Sequence, residues 1–148
     1  MRILNNKDII YKNSKSFFWA SKFLHKNILR KVINIYSFCR INDDLVDEGL
    51  IIEDSNEAEK LLEVIKSYGI SEDLIKELID GINSDISFKR YKDNQELLRY
   101  CYKVAGVVGL MMVKALDIKE KEAKYFAIDL GIACLLYTSP SPRDCRLS

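Results

Sequence analysis

The first 134 of the 148 residues contain no proline, and the whole chain has only six glycines. Proline interrupts helices and glycine weakens them, so a stretch this poor in both permits long helices without breaks. Apolar residues in this stretch recur at three- and four-residue steps, and nowhere do they sustain the alternation that is typical of a strand. The sequence therefore predicts an all-α fold.

The apolar pattern predicts five helices. They are expected at residues 26–48, 54–69, 71–82, 94–115 and from 119 to at least 134. Gly49 is expected to stop the first helix. Asp54, with Glu57 three residues later, resembles a capping box at the start of the second, and Ser71 is expected to cap the third.

Composition excludes several classes of protein. The chain has 23 basic and 22 acidic residues, so its net charge of +1 gives no general attraction for nucleic acid or for an anionic membrane. Its longest apolar run, residues 104–113, is far shorter than the roughly 20 residues of a membrane-spanning helix. The N-terminus lacks the apolar core of a signal peptide, and the cysteines form no CxxC pair. We expect a cytoplasmic protein without a transmembrane segment or a nucleic-acid partner.

The last fourteen residues differ in composition from the rest. Both prolines lie there, whereas the 18 Ile, 16 Lys and 9 Asn all lie in residues 1–134. The stretch LLYTSPSPRD resembles a translated adapter sequence rather than part of a helical domain. We therefore interpret residues 1–134 as one domain and residues 135–148 as a non-native read-through tail.

An acidic cluster ends the first predicted helix. Its members are Asp43, Asp44, Asp47 and Glu48. Like charges four residues apart each cost roughly 0.2–0.5 kcal/mol, and anions at a helix C-terminus oppose the helix dipole. A sequence selected only for stability would place basic residues there, so the cluster indicates that a cation binds at this helix end.

The spacing of the cluster suggests a divalent metal ion. Four residues advance about 6 Å along a helix, so Asp43 and Asp47 project from one face and can share a hard cation that also binds a phosphate. The alternative is a solvated acidic patch. Arg40 and Tyr36 precede Asp43 on the same face, which favours a site for an anionic ligand, although Tyr36 can equally be a core aromatic residue.

A second unusual segment is YCYKVAGVVG, residues 100–109. Gly106 and Gly109 lie within a predicted helix, where each costs about 1 kcal/mol relative to alanine. Such positions are used where a neighbouring helix or a ligand approaches closely. Tight helix packing is the simpler explanation, and a ligand cavity is the alternative.

Four ordered motifs together resemble the squalene/phytoene synthase family. They are Ser14-Lys15-Ser16-Phe17, then YSFCR at 36–40 with DDLVDE at 43–48, then YCYKVAGVVG, then AIDLGIAC at 127–134. The resemblance covers residues 11–134 and is closest to bacterial phytoene synthases. It implies the all-α isoprenoid synthase bundle, of which this chain would contain about half.

The resemblance also implies roles for individual residues. Asp43 and Asp47 would bind Mg²⁺, and they would be catalytic together with Tyr36 and Arg40. The substrate-binding residues would be Ser14, Lys15, Ser16, Phe17, Tyr36, Arg40, Tyr100, Val104, Ala105, Val108 and Gly109.

The implied reaction joins two prenyl diphosphates head to head, with geranylgeranyl or farnesyl diphosphate as the substrates. A squalene or dehydrosqualene synthase is the nearest alternative, and NADPH would be needed only in the squalene-type reaction. A non-catalytic helical assembly protein on the same fold is a further alternative. Because the substrate and product are hydrophobic, contact with a membrane surface is also an open alternative.

The sequence departs from the family after residue 134. The family continues with Gln, Asn and a second DxxxD motif, whereas those positions here are Leu135, Thr138, Pro142 and Arg146. With only one of the two metal motifs, the chain as written is expected to have little or no activity by itself.

Sequencing the source DNA beyond codon 134 tests this interpretation. We expect the reading frame to continue into Gln, Asn and a second DxxxD motif. If the codons for LLYTSPSPRDCRLS and a stop codon are found instead, this gene does not encode a catalytic protein.

Overall fold

The computed structural model of the chain describes residues 19–20, 22–50, 55–87 and 91–138. Within these ranges the chain is helical and contains no strand, which confirms the predicted all-α class. The helices are α1 (Lys26–Asp47), α2 (Asn56–Lys66), α3 (Glu72–Asn83), α4 (Asn94–Cys101), α5 (Val107–Ala115) and α6 (Ala123–Thr138). A 3₁₀ turn (Ser84–Ser87) follows α3, and a π-helical segment (Tyr102–Gly106) joins α4 to α5.

Helix α1 lies at the centre of the described fold. It packs against α2, α3 and α5, and its Ile35 and Phe38 are fully buried. The core also contains apolar residues from the three neighbouring helices, namely Leu61, Ile65, Ile75, Leu78, Ile82, Val107, Met111 and Ala115. Within each helix these core residues recur at three- and four-residue steps, which is the apolar pattern that predicted the helices.

Gly49 stops helix α1, as predicted, although the last helical residue is Asp47 rather than Glu48. Gly49 has φ +74°, and its N–H donates to the carbonyl of Val46 at 2.9 Å. The Leu50 N–H donates to the carbonyl of Leu45 at 2.8 Å, which completes a Schellman motif. This stop leaves the acidic cluster on the last two turns of α1.

The start of α2 differs from the prediction. Ser55, not Asp54, is the N-cap, and its Oγ accepts a hydrogen bond from the Ala58 N–H at 3.3 Å. Asp54 itself lies outside the described residues. Ser71 is the N-cap of α3 as expected, but its side chain makes no capping hydrogen bond.

Helix α6 begins four residues later than predicted. Asp117 adopts φ +56° after α5, and the Ile118 N–H donates to the carbonyl of Val113 at 3.1 Å. This turn reverses the chain, so the residues from Lys119 onward connect two helices before α6 starts at Ala123. At its other end α6 continues to Thr138. The boundary between the domain and the tail, after residue 134, stays a prediction.

The predicted helix over residues 94–115 contains an unpredicted π-helical segment. The N–H of Val107 donates to the carbonyl of Tyr102, five residues earlier. A single π turn inserted between α-helical stretches is rare and often occurs at functional sites. It shifts the side chains of α5 around the helix axis relative to those of α4.

The π segment and α5 cross α6 with direct backbone contact. A Cβ atom on Gly109 would overlap the Ala127 carbonyl oxygen, and one on Gly131 would overlap the Ala105 carbonyl oxygen. At Gly109 the structure thus confirms tight helix packing. In the described residues, no helix is long and apolar enough to cross a membrane.

Alanine at Gly109 or Gly131 is expected to destabilise the protein. Alanine improves helix propensity by about 1 kcal/mol, but forcing a methyl group against backbone requires the helices to separate, and overpacking costs about 1–3 kcal/mol. Because the clash is with backbone, we expect the upper part of that cost and a net loss of up to about 2 kcal/mol, measured by thermal or urea unfolding.

Gly106→Ala is the matched control. The nearest atoms to its added methyl group would be side-chain carbons of Tyr102 and Ile128, at 3.0 and 3.2 Å, which can move more easily than backbone. The loss of stability in Gly106→Ala should therefore be smaller. Unchanged stability of both Gly109→Ala and Gly131→Ala would contradict the backbone crossing.

Candidate functional site

The candidate site lies at the C-terminal end of α1. Asp43 and Asp47 are both exposed and lie one turn apart on the same face of this helix. The last turn of α1 contains no basic residue that would balance the helix dipole. The unfavourable arrangement predicted from the sequence is therefore present in the fold.

Asp43 shows the electrostatic effect of this crowding. Asp43 is exposed, but the surrounding protein reduces the hydration of its carboxylate. This loss of hydration is the main reason why the pKa of Asp43 is raised to about 6. Arg40 opposes this shift, whereas the negative charges of Asp44, Asp47 and Asp85 add to it. Asp43 thus lies in a region of excess negative charge.

Arg40 binds a different carboxylate from the one expected. Its guanidinium donates to Asp44 Oδ1 instead of converging on Asp43. The Arg40 Nε is buried and has no hydrogen-bond partner among the described residues. A donor beside the aspartates is thus left unsatisfied by the described residues.

Tyr36 lies one turn before Arg40 and is half-buried. Burial raises the pKa of its phenol, Arg40 lowers it, and Asp43 raises it again. These effects place the phenol within the electrostatic field of the acidic cluster. Tyr36 therefore stays protonated at neutral pH and can donate a hydrogen bond.

The structure adds Asp85, which we did not predict from the sequence. Asp85 lies in the 3₁₀ turn after α3 and accepts a hydrogen bond from the Tyr100 hydroxyl at 2.8 Å. Burial is the main cause that raises the Asp85 pKa, the bond from Tyr100 lowers it, and Asp47 raises it. Its local sequence carries no signal, because only packing brings the 3₁₀ turn to the end of α1.

Tyr100 is the predicted site residue that connects the two segments. Burial and the Asp85 carboxylate raise the pKa of its hydroxyl, and the charge of Asp43 adds to this. The ring of Tyr91 packs on Tyr100, with 5.5 Å between the ring centroids. The end of α1, the 3₁₀ turn and α4 therefore meet at one place.

The remaining predicted residues fall into two groups. Val104 and Val108 are partly buried against the core, the Ala105 carbonyl faces Gly131, and the open side of Gly109 faces α6. Their role in lining a substrate cavity stays a prediction. The second group lies outside the described residues, namely Ser14, Lys15, Ser16 and Phe17.

The donor set at this site fits a magnesium ion. In the ranges that the structure describes, no three His, Cys, Asp or Glu side chains form a ready-made metal site. Reduced hydration is the main cause of the raised pKa values of Asp43 and Asp85, and the negative charge of Asp47 raises both of them further. A hard cation that keeps some water ligands and accepts carboxylate oxygens would relieve this repulsion.

The pKa of Asp43 gives a pH prediction for the metal-free chain. A folded-state pKa of about 6 lies above the usual value, so the folded chain retains a proton that the unfolded chain releases. This contribution to stability is complete below about pH 4 and is lost as the pH rises through about 6. A carbon-13 NMR titration, with Asp43→Asn to assign the signal, should show a midpoint near 6.

The variant Arg40→Gln tests the direction in which Arg40 shifts the pKa of Asp43. Removing the guanidinium removes the charge that lowers the pKa of Asp43, so the midpoint should move upward. A midpoint near 4 in the unmodified chain, or a downward shift in Arg40→Gln, would contradict the description of this site.

Known proteins resemble the chain in both sequence and fold. It is 31% identical to phytoene synthase of Pseudescherichia vulneris, with 81% of this chain and 48% of the relative covered. The 15-cis-phytoene synthase of Enterobacter agglomerans is also 31% identical, with 81% and 50% covered. A crystal structure of a dehydrosqualene synthase in complex with ligand matches with a TM-score of 0.68 and 27% identity, over 88% of this chain and 53% of that one.

The chain thus spans about half the length of the relatives that it matches. The structural match confirms the expected isoprenoid synthase fold. The family model described as squalene/phytoene synthase matches residues 10–62 and 52–138. On these grounds, the chain belongs to the squalene/phytoene synthase family.

Proposed function

We propose that this chain provides the first metal-binding motif of an enzyme that joins two prenyl diphosphates head to head, as phytoene synthases do. The observation that carries the proposal is the pair of exposed aspartates, Asp43 and Asp47, on one face of α1 beside Arg40. Asp85, which accepts a hydrogen bond from Tyr100, lies close enough for its charge to raise the pKa of Asp43. These acidic groups come from two separate elements of the fold. A solvated acidic patch would not need a third carboxylate held in place by a tyrosine.

Asp43 and Asp47 would hold Mg²⁺ through their exposed carboxylates. When bound, the ion would neutralise charge on the diphosphate that leaves the substrate. The third carboxylate, Asp85, is oriented by its hydrogen bond from Tyr100 and would complete the negative field around the ion. Loss of any of these carboxylates would weaken the attraction for the cation.

Arg40 and Tyr36 would bind the diphosphate directly. The unpartnered Nε of Arg40 is a donor that cannot lose its charge, and charge-assisted hydrogen bonds to phosphate are strong. The protonated phenol of Tyr36 supplies a second donor one turn away. Together they would stabilise the developing negative charge of the leaving group.

The prenyl chain would lie beside the π segment. Val104, Ala105 and Val108 are small or branched apolar residues next to Tyr100, as a dry cavity for an allylic cation requires. Ser14, Lys15, Ser16 and Phe17 are proposed to close the substrate site, on the basis of the family resemblance.

The comparisons favour geranylgeranyl diphosphate as the substrate, because the two similar relatives named above are phytoene synthases. A dehydrosqualene synthase is the structural relative, so farnesyl diphosphate is the alternative. Incubating the complete protein with each diphosphate, with and without NADPH, would separate the two. If neither diphosphate yields a hydrocarbon product, the proposed reaction is excluded.

Asp43→Asn and Asp47→Asn are expected to weaken metal binding. Each change removes one anionic ligand of the proposed pair, so we expect at least a tenfold loss of Mn²⁺ affinity in the presence of a non-hydrolysable prenyl thiodiphosphate. Electron paramagnetic resonance of free Mn²⁺ measures this directly. In the complete protein, turnover should fall by roughly two orders of magnitude or more, as expected when a group that stabilises the transition state is removed.

Glu48→Gln is the matched control for these variants. It removes the same charge from the same end of α1, but its side chain is outside the proposed ligand pair. A general electrostatic effect would weaken Mn²⁺ binding equally in all three variants. An equal effect would therefore contradict the assignment of Asp43 and Asp47 as ligands.

A further inference from the structure

Helix α3 crosses the π segment at Gly81. A Cβ atom on Gly81 would lie 2.7 Å from Lys103 Cβ and 2.9 Å from Val104 Cγ1, so the two elements are in direct contact at this residue. Glycine has no side chain that could interlock with the neighbouring helix. Side chains on either side of the crossing are therefore needed to fix how the π segment is turned about its own axis.

Two carboxylates lie one turn to either side of Gly81 in the chain. Asp85 follows it by four residues and accepts a hydrogen bond from the Tyr100 hydroxyl at 2.8 Å. Glu77 precedes it by four residues. Residues four apart lie on the same face of a helix, so Glu77 and Gly81 share the face of α3 that meets the π segment.

The Glu77 carboxylate interacts with the hydroxyl of Tyr102. Burial is the main cause that raises the pKa of Tyr102, and the charge of Glu77 and a hydrogen bond between the two side chains raise it further. Glu77 Oε2 is buried and has no hydrogen-bond partner in the described part of the chain. Burial of a carboxylate oxygen without a partner costs free energy. Helix stability alone therefore does not explain a glutamate at this position.

Tyr102 is also the residue at which the π turn begins. Its carbonyl accepts a hydrogen bond from the Val107 N–H. Tyr100 and Tyr102 are two residues apart, which places their side chains on nearly opposite sides of the helix. Two hydroxyls on opposite sides, each held by a carboxylate, fix a rotation that one of them alone would leave free.

We propose that Glu77 is a positioning residue of the candidate site: through Tyr102 it fixes the rotation of the π segment and so directs the Tyr100 hydroxyl to Asp85. Glu77 acts through the two tyrosines and does not touch the ligand. Its importance for catalysis rests on the proposed function, whereas the coupling between the tyrosines does not need a bound metal ion.

Carbon-13 NMR of the 148-residue chain, with tyrosine labelled at Cζ, tests this coupling. The Cζ shift of a phenol reports whether its hydroxyl donates a hydrogen bond. Tyr100→Phe assigns the Tyr100 signal, and Asp85→Ala gives its shift when the bond to Asp85 is absent. In Tyr102→Phe the π segment loses one of its two ties, so the Tyr100 signal should move at least half of the way to that shift.

Variants of Glu77 show whether the bond to Tyr102 is responsible. Glu77→Leu should move the Tyr100 signal as Tyr102→Phe does. Glu77→Gln keeps an acceptor for the Tyr102 hydroxyl and should leave the signal in place. Circular dichroism checks that each variant is folded. Tyr102→Phe removes a single oxygen atom, so it tests the proposal even if Glu77→Leu does not fold.

Asp80→Asn is the matched control. It removes a carboxylate from an exposed position of the same helix and leaves Glu77 intact. The Tyr100 signal should not move in this variant.

A second measurement separates this inference from the proposed function. Mn²⁺ affinity in the presence of a non-hydrolysable prenyl thiodiphosphate should fall about threefold or more in Tyr102→Phe, because groups that orient the surroundings of a metal contribute to its affinity. Glu77→Gln should retain the affinity. If the unmodified chain binds no Mn²⁺ while Tyr102→Phe still moves the Tyr100 signal, the proposed function is contradicted and the coupling of Tyr102 to Tyr100 is supported.

Several results would overturn the proposal. One is an unchanged Tyr100 signal in folded Tyr102→Phe. Equal movement in Asp80→Asn would indicate a general loosening of α3, and equal movement in Glu77→Gln and Glu77→Leu would show that Glu77 acts through its charge alone. Unchanged Mn²⁺ affinity in a variant whose Tyr100 signal has moved would exclude a positioning role in the site.

Discussion

Burial of one face of helix α1 is the interaction on which both the core and the candidate site depend. Ile35 and Phe38 are fully buried against α2, α3 and α5, and each contributes roughly 1.5–3 kcal/mol. The same helix carries Asp43 and Asp47 at its end. The packing that stabilises the fold therefore also determines where the carboxylates lie, and the Gly49 stop prevents the helix from continuing past them.

The electrostatic cost at the end of α1 is small compared with this packing. Each like-charge pair costs roughly 0.2–0.5 kcal/mol, and each anion at the helix terminus about 0.3–1 kcal/mol. The burial of Ile35 and Phe38 is large enough to offset that cost. Reduced hydration is the main cause that raises the pKa of Asp43, and the charges of Asp44, Asp47 and Asp85 raise it further. The end of α1 thus carries an arrangement of charges that is unfavourable for stability.

The sequence predicted the helices more reliably than their ends. The apolar spacing predicted the helical segments, and Gly49 predicted the stop of α1, because both signals depend on residues that are near in sequence. The start of α2 was wrong by one residue, since Ser55 and Asp54 are both good caps and only the path of the chain selects between them. The π turn at Tyr102 carried no signal, because it depends on how α4 and α5 meet α6.

The sequence by itself determined the helical class, the family and the pairing of Asp43 with Asp47, because helix geometry relates residues four apart wherever the helix lies. Only the tertiary structure brought Asp85 towards this pair and joined it to Tyr100. It also decided that Gly109 contacts the backbone of α6. These contacts join residues from different helices, and their proximity depends on the packing of the whole bundle rather than on local spacing.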